Sequence, residues 1–144
     1  MKLKIKRLTE TAKMPTRGTE ESAGLDLYID SDKAVYIPPH TTVMLQTGIA
    51  VEIPKGHFGA IYPRSGISSK RGVRLANCVG VIDADYRGNV GMPLHNDTEE
   101  TVMLMPYERV AQMIITAYPQ IEIEETTELT TTPRGEGGFG STGK

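Results

Sequence analysis

The chain has 144 residues, enough for one domain around one core, and a formal net charge of −2. It lacks the basic surplus of a nucleic-acid scaffold, yet a few local arginines could still hold a small anionic substrate. Cys78 is the only cysteine, so no internal disulfide can form and a reducing compartment is expected.

The N-terminus, Met1-Lys-Leu-Lys-Ile-Lys-Arg-Leu8, alternates charged and apolar residues. It has no apolar run of signal-peptide shape, and no segment of the chain approaches the length of a membrane span. A soluble, cytoplasmic protein with neither a membrane nor a nucleic-acid partner is expected. Short apolar runs then recur along the chain. They fall at residues 35–37, which run into Pro38 and Pro39, at 41–46 and 49–53, closed by Pro54 and Gly56, and at 58–62, 73–75, 79–82, 90–94, 101–105 and 110–116. Runs of this length, rich in Thr, Val and Ile and separated by turn residues, predict an all-β fold. No segment keeps a 3.6-residue apolar period over three turns; one short helical turn is expected at residues 65–70. His40, His57 and His95 are far apart and lack metal-ligand spacing. The polar Thr/Glu stretch at 124–133 reads either as an extended arm across a neighbouring subunit or as a solvated linker.

The tail Arg134-Gly-Glu-Gly-Gly-Phe-Gly-Ser-Thr-Gly143 places one arginine, one aromatic ring, two hydroxyls and five glycines in ten residues. It has almost nothing to bury, so it is expected to order only around a ligand. Glycines let backbone N–H groups converge on an anion. Arg134 adds a charge-assisted fork for phosphate, and Phe139 offers a flat face to a base. A nucleotide polyphosphate satisfies all three; the competing reading is a disordered Gly-rich tag. Residues 138–144 also fit most of a P-loop pattern, but that loop needs a following helix, and Lys144 is the last residue. The expected division is a β domain over 1–133 and a flexible Gly-rich lid over 134–144.

Four further clusters join special backbone residues to reactive side chains. Ser22-Ala-Gly-Leu-Asp-Leu27 sets Asp26 between two leucines, where strand alternation points it away from the apolar face. Pro63-Arg-Ser-Gly66 follows a strand and combines a fixed φ, a phosphate fork, a hydroxyl and a permissive glycine. Gly80-Val-Ile-Asp-Ala-Asp-Tyr-Arg-Gly88 is a strand entering an acidic, aromatic turn. Glu108-Arg-Val-Ala-Gln-Met-Ile-Ile115 is a strand with Arg109 and Gln112 in an apolar run; Arg109 reads as structural.

Together, and in this order with the tail, these clusters resemble the five motifs of the trimeric dUTP pyrophosphatase (dUTPase) family, from about Ser22 to Gly143. The resemblance implies a distorted β-jelly roll assembled as a homotrimer. Each site would lie at subunit contacts, and the tail of one subunit would close over a site built by two others. It implies water attack on the α-phosphorus of dUTP, giving dUMP and pyrophosphate. That reaction keeps uracil out of DNA and supplies dUMP for dTMP synthesis. By the same resemblance Asp83 is the water-activating aspartate, and Tyr86 is the ring under the deoxyribose. Asn77, Gly80, Val81 and Ile82 form the uracil-reading hairpin, with Gly91 on the next strand. Arg64, Ser65 and Gly66 form the phosphate turn, and Gln112 lies near the phosphates. Arg134, Phe139, Gly140 and Ser141 belong to the lid. Asp26 would meet Mg2+ through water, the ion being bound mainly by triphosphate and water. One departure is visible: the fourth motif usually opens with a glycine, and Tyr107 stands there, which bears on the turn before the strand and not on the chemistry. The alternatives are a dCTP deaminase, whose chains resemble the same fold but use a glutamate after a different third motif, and a phage-type regulatory binding role.

Overall fold

Branched and aromatic side chains favour a pleated, half-buried surface, and proline and glycine cannot extend it, so short punctuated runs become strands. The computed structural model describes residues 1–138. Along them run β1 (Lys4–Arg7), β2 (Leu25–Tyr28), β3 (Val35–Ile37), β4 (Thr42–Gln46), β5 (Ile49–Glu52), β6 (His57–Pro63), α1 (Ser65–Arg71), β7 (Val73–Leu75), β8 (Gly80–Ile82), β9 (Gly91–Asn96), β10 (Val102–Leu104) and β11 (Arg109–Ala117). The fold is all-β, as the run lengths predict. The expected helical turn is α1, ended by Gly72 in the left-handed conformation at φ 63°.

The strands pair antiparallel in small sheets ordered β1–β5, β10–β3, β2–β11–β6–β8 and β4–β9–β7. β4 and β5 are separated by Thr47 and Gly48 alone, yet they do not form a hairpin; the chain passes from one sheet to another there. Leu27, Ile37, Ile61, Met92, Leu94 and Met113 from these sheets are fully buried in one core. Asn96 is buried among them, and its amide donates to Ile37 O and Glu100 O, so a buried polar group and two carbonyls satisfy one another.

β11, nine residues long, runs between β2 and β6. Its register against β2 pairs Gln112 with Asp26 and Arg109 with Tyr28, with an extra residue between Arg109 and Ala111. In a regular strand residues three apart face opposite sides. The bulge shifts the phase, so Arg109 and Gln112 both lie on the face that carries Asp26. At the other end of the molecule Lys4 lies directly opposite Glu52 and donates to its carboxylate at 2.8 Å. That bond holds the Glu52 carboxyl below its ordinary value, so its stabilising effect is present at neutral pH and is lost as the pH falls through that lowered value. Both groups are exposed, so the effect is small.

The turn before β11 keeps a glycine-like geometry without glycine. Tyr107 has φ 54°, its N–H donates to Ser31 O, and Glu108 N–H donates to Met105 O. A side chain in the left-handed region is strained. Here the ring lies under the Lys13 ammonium, 4.5 Å from its centroid, which offsets part of that strain. The usual ranking of alanine above glycine should therefore reverse at this position. We expect Tyr107→Gly to be more stable than Tyr107→Ala by about 1 kcal/mol, measured by urea unfolding, because only glycine relieves the strain once the ring is gone.

Candidate functional site

Asp26 leaves solvent on strand β2 with 7% of its surface exposed, and a buried carboxylate stays ionised only if it is paired. Its partners come from two directions. Arg64, the residue just before α1, sets Nε 3.0 Å from Oδ1. Arg109, turned to this face by the bulge, sets a guanidinium nitrogen 3.1 Å from Oδ2. The Arg64 guanidinium also donates to Arg109 O at 3.4 Å, and its backbone N–H donates to Val110 O. Asp26 thus holds two arginines side by side at the edge of a cavity of about 200 Å³ lined by Gly18, Ser22, Gly24, Asp26, Arg64, Ser65 and Gln112. The Gln112 amide donates to Pro63 O at 3.2 Å. Its oxygen lies so close to Gly24 that any Cβ there would overlap it, so Gly24 is needed for contact and not for turning. Gly66 has open space where a Cβ would stand. A concave surface with the Arg64 guanidinium, two serine hydroxyls and an amide is suited to the oxygens of a polyphosphate.

Asp83 follows β8 and opens a tight turn in which Tyr86 N–H donates to Asp83 O at 3.2 Å. Asp83 is exposed and lines a cavity of about 580 Å³ with Lys55, Gly56, Ala84, Asp85, Tyr118 and Gln120. Tyr86, 43% exposed, donates its hydroxyl to Asn89 O. The phenol lies over Gly88, where a Cβ would overlap it. A carboxylate and a ring on one four-residue turn can serve a water molecule and a sugar together.

The link from β7 to β8 carries Asn77, and Gly80, Val81 and Ile82 form β8; β7 pairs with β9 and β8 with β6, so the expected hairpin is not a paired one. β8 pairs with β6 and ends the sheet, so alternate backbone N–H and C=O groups on its outer side remain free to read a planar base. Gly80 is buried against Ile61 and the Asn77 amide, which seats that amide at the start of β8. Gly91 begins β9 opposite Gln46 in a different sheet, with Met44 and Gln46 as its neighbours. Arg134 is exposed and its guanidinium donates to Gly137 O within its own turn. Phe139, Gly140 and Ser141 lie outside the described residues.

The structure therefore brings Asp26, Arg64, Ser65 and Gln112 to one cavity and sets Asp83 and Tyr86 on one turn at another; the two cavities share no lining residue. Arg109, read from the sequence as structural, pairs with Asp26 beside Arg64 and does not itself line the cavity. Its phase depends on a bulge that leaves no mark in an apolar run. Gly24 and Gly88 stand inside the sequence clusters, but what they make room for is visible only in three dimensions. Among the described residues no group of three or more His, Cys, Asp or Glu is placed to hold a metal ion. No helix of the described residues is long and apolar enough to cross a membrane.

The dUTPase family profile matches residues 10–143. The deoxyuridine 5'-triphosphate nucleotidohydrolase of Hydrogenobaculum sp. (strain Y04AAS1) is 44% identical over 143 residues, covering 99% of both chains. The dUTPase of Staphylococcus bacteriophage 80alpha, solved with dUPNHPP, superposes with a TM-score of 0.91 at 30% identity, covering 99% of each chain. A mutant dUTPase from phage phi11 of S. aureus, whose structure is described as revealing the coordination of a structural Mg(II) ion, superposes with a TM-score of 0.80 at 27% identity over 89% of this chain and 98% of that one. Matches of this extent establish that the chain belongs to the dUTPase family.

Proposed function

We propose that this chain hydrolyses dUTP to dUMP and pyrophosphate with Mg2+ as cofactor, at sites shared between the subunits of a homotrimer. The observation that carries the reaction is Arg64, braced by Asp26 next to Arg109, in a cavity with Ser65 and Gln112 whose donors suit a triphosphate. A triphosphate repels an anionic nucleophile, so rate comes mainly from positioning and charge neutralisation. Asp83 takes the proton of the attacking water. Arg64 and Arg134 draw charge off the phosphate oxygens, and Ser65 donates toward the bridging oxygen that leaves. Tyr86 occupies the space a 2′-hydroxyl would need. The outer edge of β8 beside Asn77 matches the hydrogen-bonding edge of uracil, and a base with the wrong donor there leaves a buried group unpaired.

Magnesium supplies charge neutralisation on the triphosphate when bound. The residues present fit an ion carried by the substrate. Asp26 lines the cavity, and each of its oxygens keeps a lone pair for a water beyond the arginine it accepts from.

The shared site rests on two observations. Asp83 and Arg64 line separate cavities of one subunit. Downstream of β11, Ile121, Ile123 and Leu129 are 75%, 89% and 87% exposed, which suits an arm that covers a neighbouring subunit better than a solvated linker. Residues 134–144 then act as a lid, with Phe139 stacking on the base.

Incubation with each common nucleoside triphosphate and Mg2+, with pyrophosphate as readout, should show release from dUTP alone; equal release from several substrates overturns the reading. Asp83→Asn keeps the shape of the site and removes the base. Turnover should fall by ~10²–10⁴-fold while a non-hydrolysable dUTP analogue still binds; near-normal turnover would place the base elsewhere. For the shared site, Asp83→Asn subunits are unfolded and reassembled with subunits truncated after Pro133. Random mixing in a closed trimer should leave about a quarter of sites whole. No activity from mixed trimers shown to form would mean that one chain supplies both parts.

A further inference from the structure

We propose that Asn89 is the positioning residue of the sugar pocket, fixing the tilt of Tyr86 by anchoring its turn to the link between β4 and β5. The proposal rests on the reading of Tyr86 as the ring that excludes a 2′-hydroxyl. Such exclusion is steric, so it needs a ring that cannot swing away, yet Tyr86 is 43% exposed and sits on a surface turn. Packing alone does not restrain it. Two contacts hold its tip: the hydroxyl donates to Asn89 O at 3.1 Å, and the phenol lies over Gly88. Both contacts are to the backbone of residues 88 and 89, so the ring is only as well placed as that segment.

The segment is tied down by the Asn89 side chain. Its Oδ1 accepts from Gly48 N–H at 3.0 Å. Thr47 is buried, with 1% of its surface exposed, and its hydroxyl lies 2.8 Å from Val90 O. Val90 N–H in turn donates to Ile49 O. Gly48 is itself closely packed: it has φ 68°, its carbonyl accepts from Leu8 N–H, and a Cβ there would overlap Asp30 and Ala12. The Thr47–Gly48 link is thus a rigid post, and Asn89 fastens the Tyr86 turn to it. The other end of the same turn is bonded to Asp83 O, so the post also steadies the backbone under the proposed base.

Oδ1 works here only as an acceptor, so aspartate should substitute for asparagine and alanine should not. The readout is the ratio of kcat/KM for dUTP to that for UTP, with thermal melts to follow folding. A purely structural role would lower the melting temperature and leave the ratio unchanged. We expect Asn89→Ala to lower the ratio about tenfold, mainly through faster UTP cleavage, and Asn89→Asp to restore it. Tyr86→Phe removes the phenol bond without touching the anchor and should lower the ratio in the same direction. The double variant should be no worse than the stronger single one, since both act on one ring. If Asn89→Ala does not fold, Tyr86→Phe decides alone. An unchanged ratio in Tyr86→Phe, and in Asn89→Ala where it folds, overturns the proposal. Tyr86→Ala separates the two readings: a lowered ratio in that variant leaves Tyr86 as the sugar-excluding ring even when Asn89 has no part, and an unchanged ratio removes both.

Discussion

A carboxylate that has left water must be paired, and in this protein Asp26 meets that demand with two arginines at once. Taking a partner from a buried ion pair costs about 3–5 kcal/mol, less here because the guanidinia of Arg64 and Arg109 remain 35% and 44% exposed. The arrangement places two like charges side by side, which neither would adopt alone. It also ties the entry of α1 to β2 and β11, joining the turn at residues 63–66 to the first and fourth clusters. An anionic ligand then meets guanidinia already aligned, and little ordering remains to be done at binding.

The second half of the site is built on different physics. Asp83 and Tyr86 lie on a polar surface turn with little apolar burial; Tyr86 N–H closes it onto Asp83 O, the phenol donates to Asn89 O, and Asn89 and Val90 are bonded in turn to Gly48 and Thr47. β8, to which we assign the reading of uracil, is the free edge of a sheet. A free edge usually invites unwanted pairing, but β8 is three residues long, which limits that hazard. In the proposed function, discrimination draws on backbone, while charge neutralisation draws on side chains braced by a buried carboxylate.

Tyr107 shows how a departure from the family pattern is absorbed. The left-handed turn before β11 is kept at φ 54°, and the strain is met by the ring's contact with Lys13. With that turn in place the chain enters β11 so that Arg109 reaches Asp26 beside Arg64.

Much of the fold was legible along the chain because it is written in local terms. Val/Ile/Thr runs bounded by Pro38, Pro54, Gly56 and Gly72 mark the strands, and the one short helix stands where the apolar alternation breaks. The identities of Asp83, Tyr86, Arg64 and Ser65, set beside glycines and prolines, carried the chemistry and the family. Non-local relations were not legible. Nothing in residues 41–53 says that β4 and β5 part company and join β9 and β1. Nothing in the run from Arg109 to Gln112 says that a bulge brings both to the Asp26 face, because the bulge exists only against the register of β2. The glycine requirement at positions 24 and 88 comes from Gln112 and Tyr86 folding back over the backbone. Local propensity and residue chemistry determined which parts the protein has; strand register and long-range packing decided which of them meet.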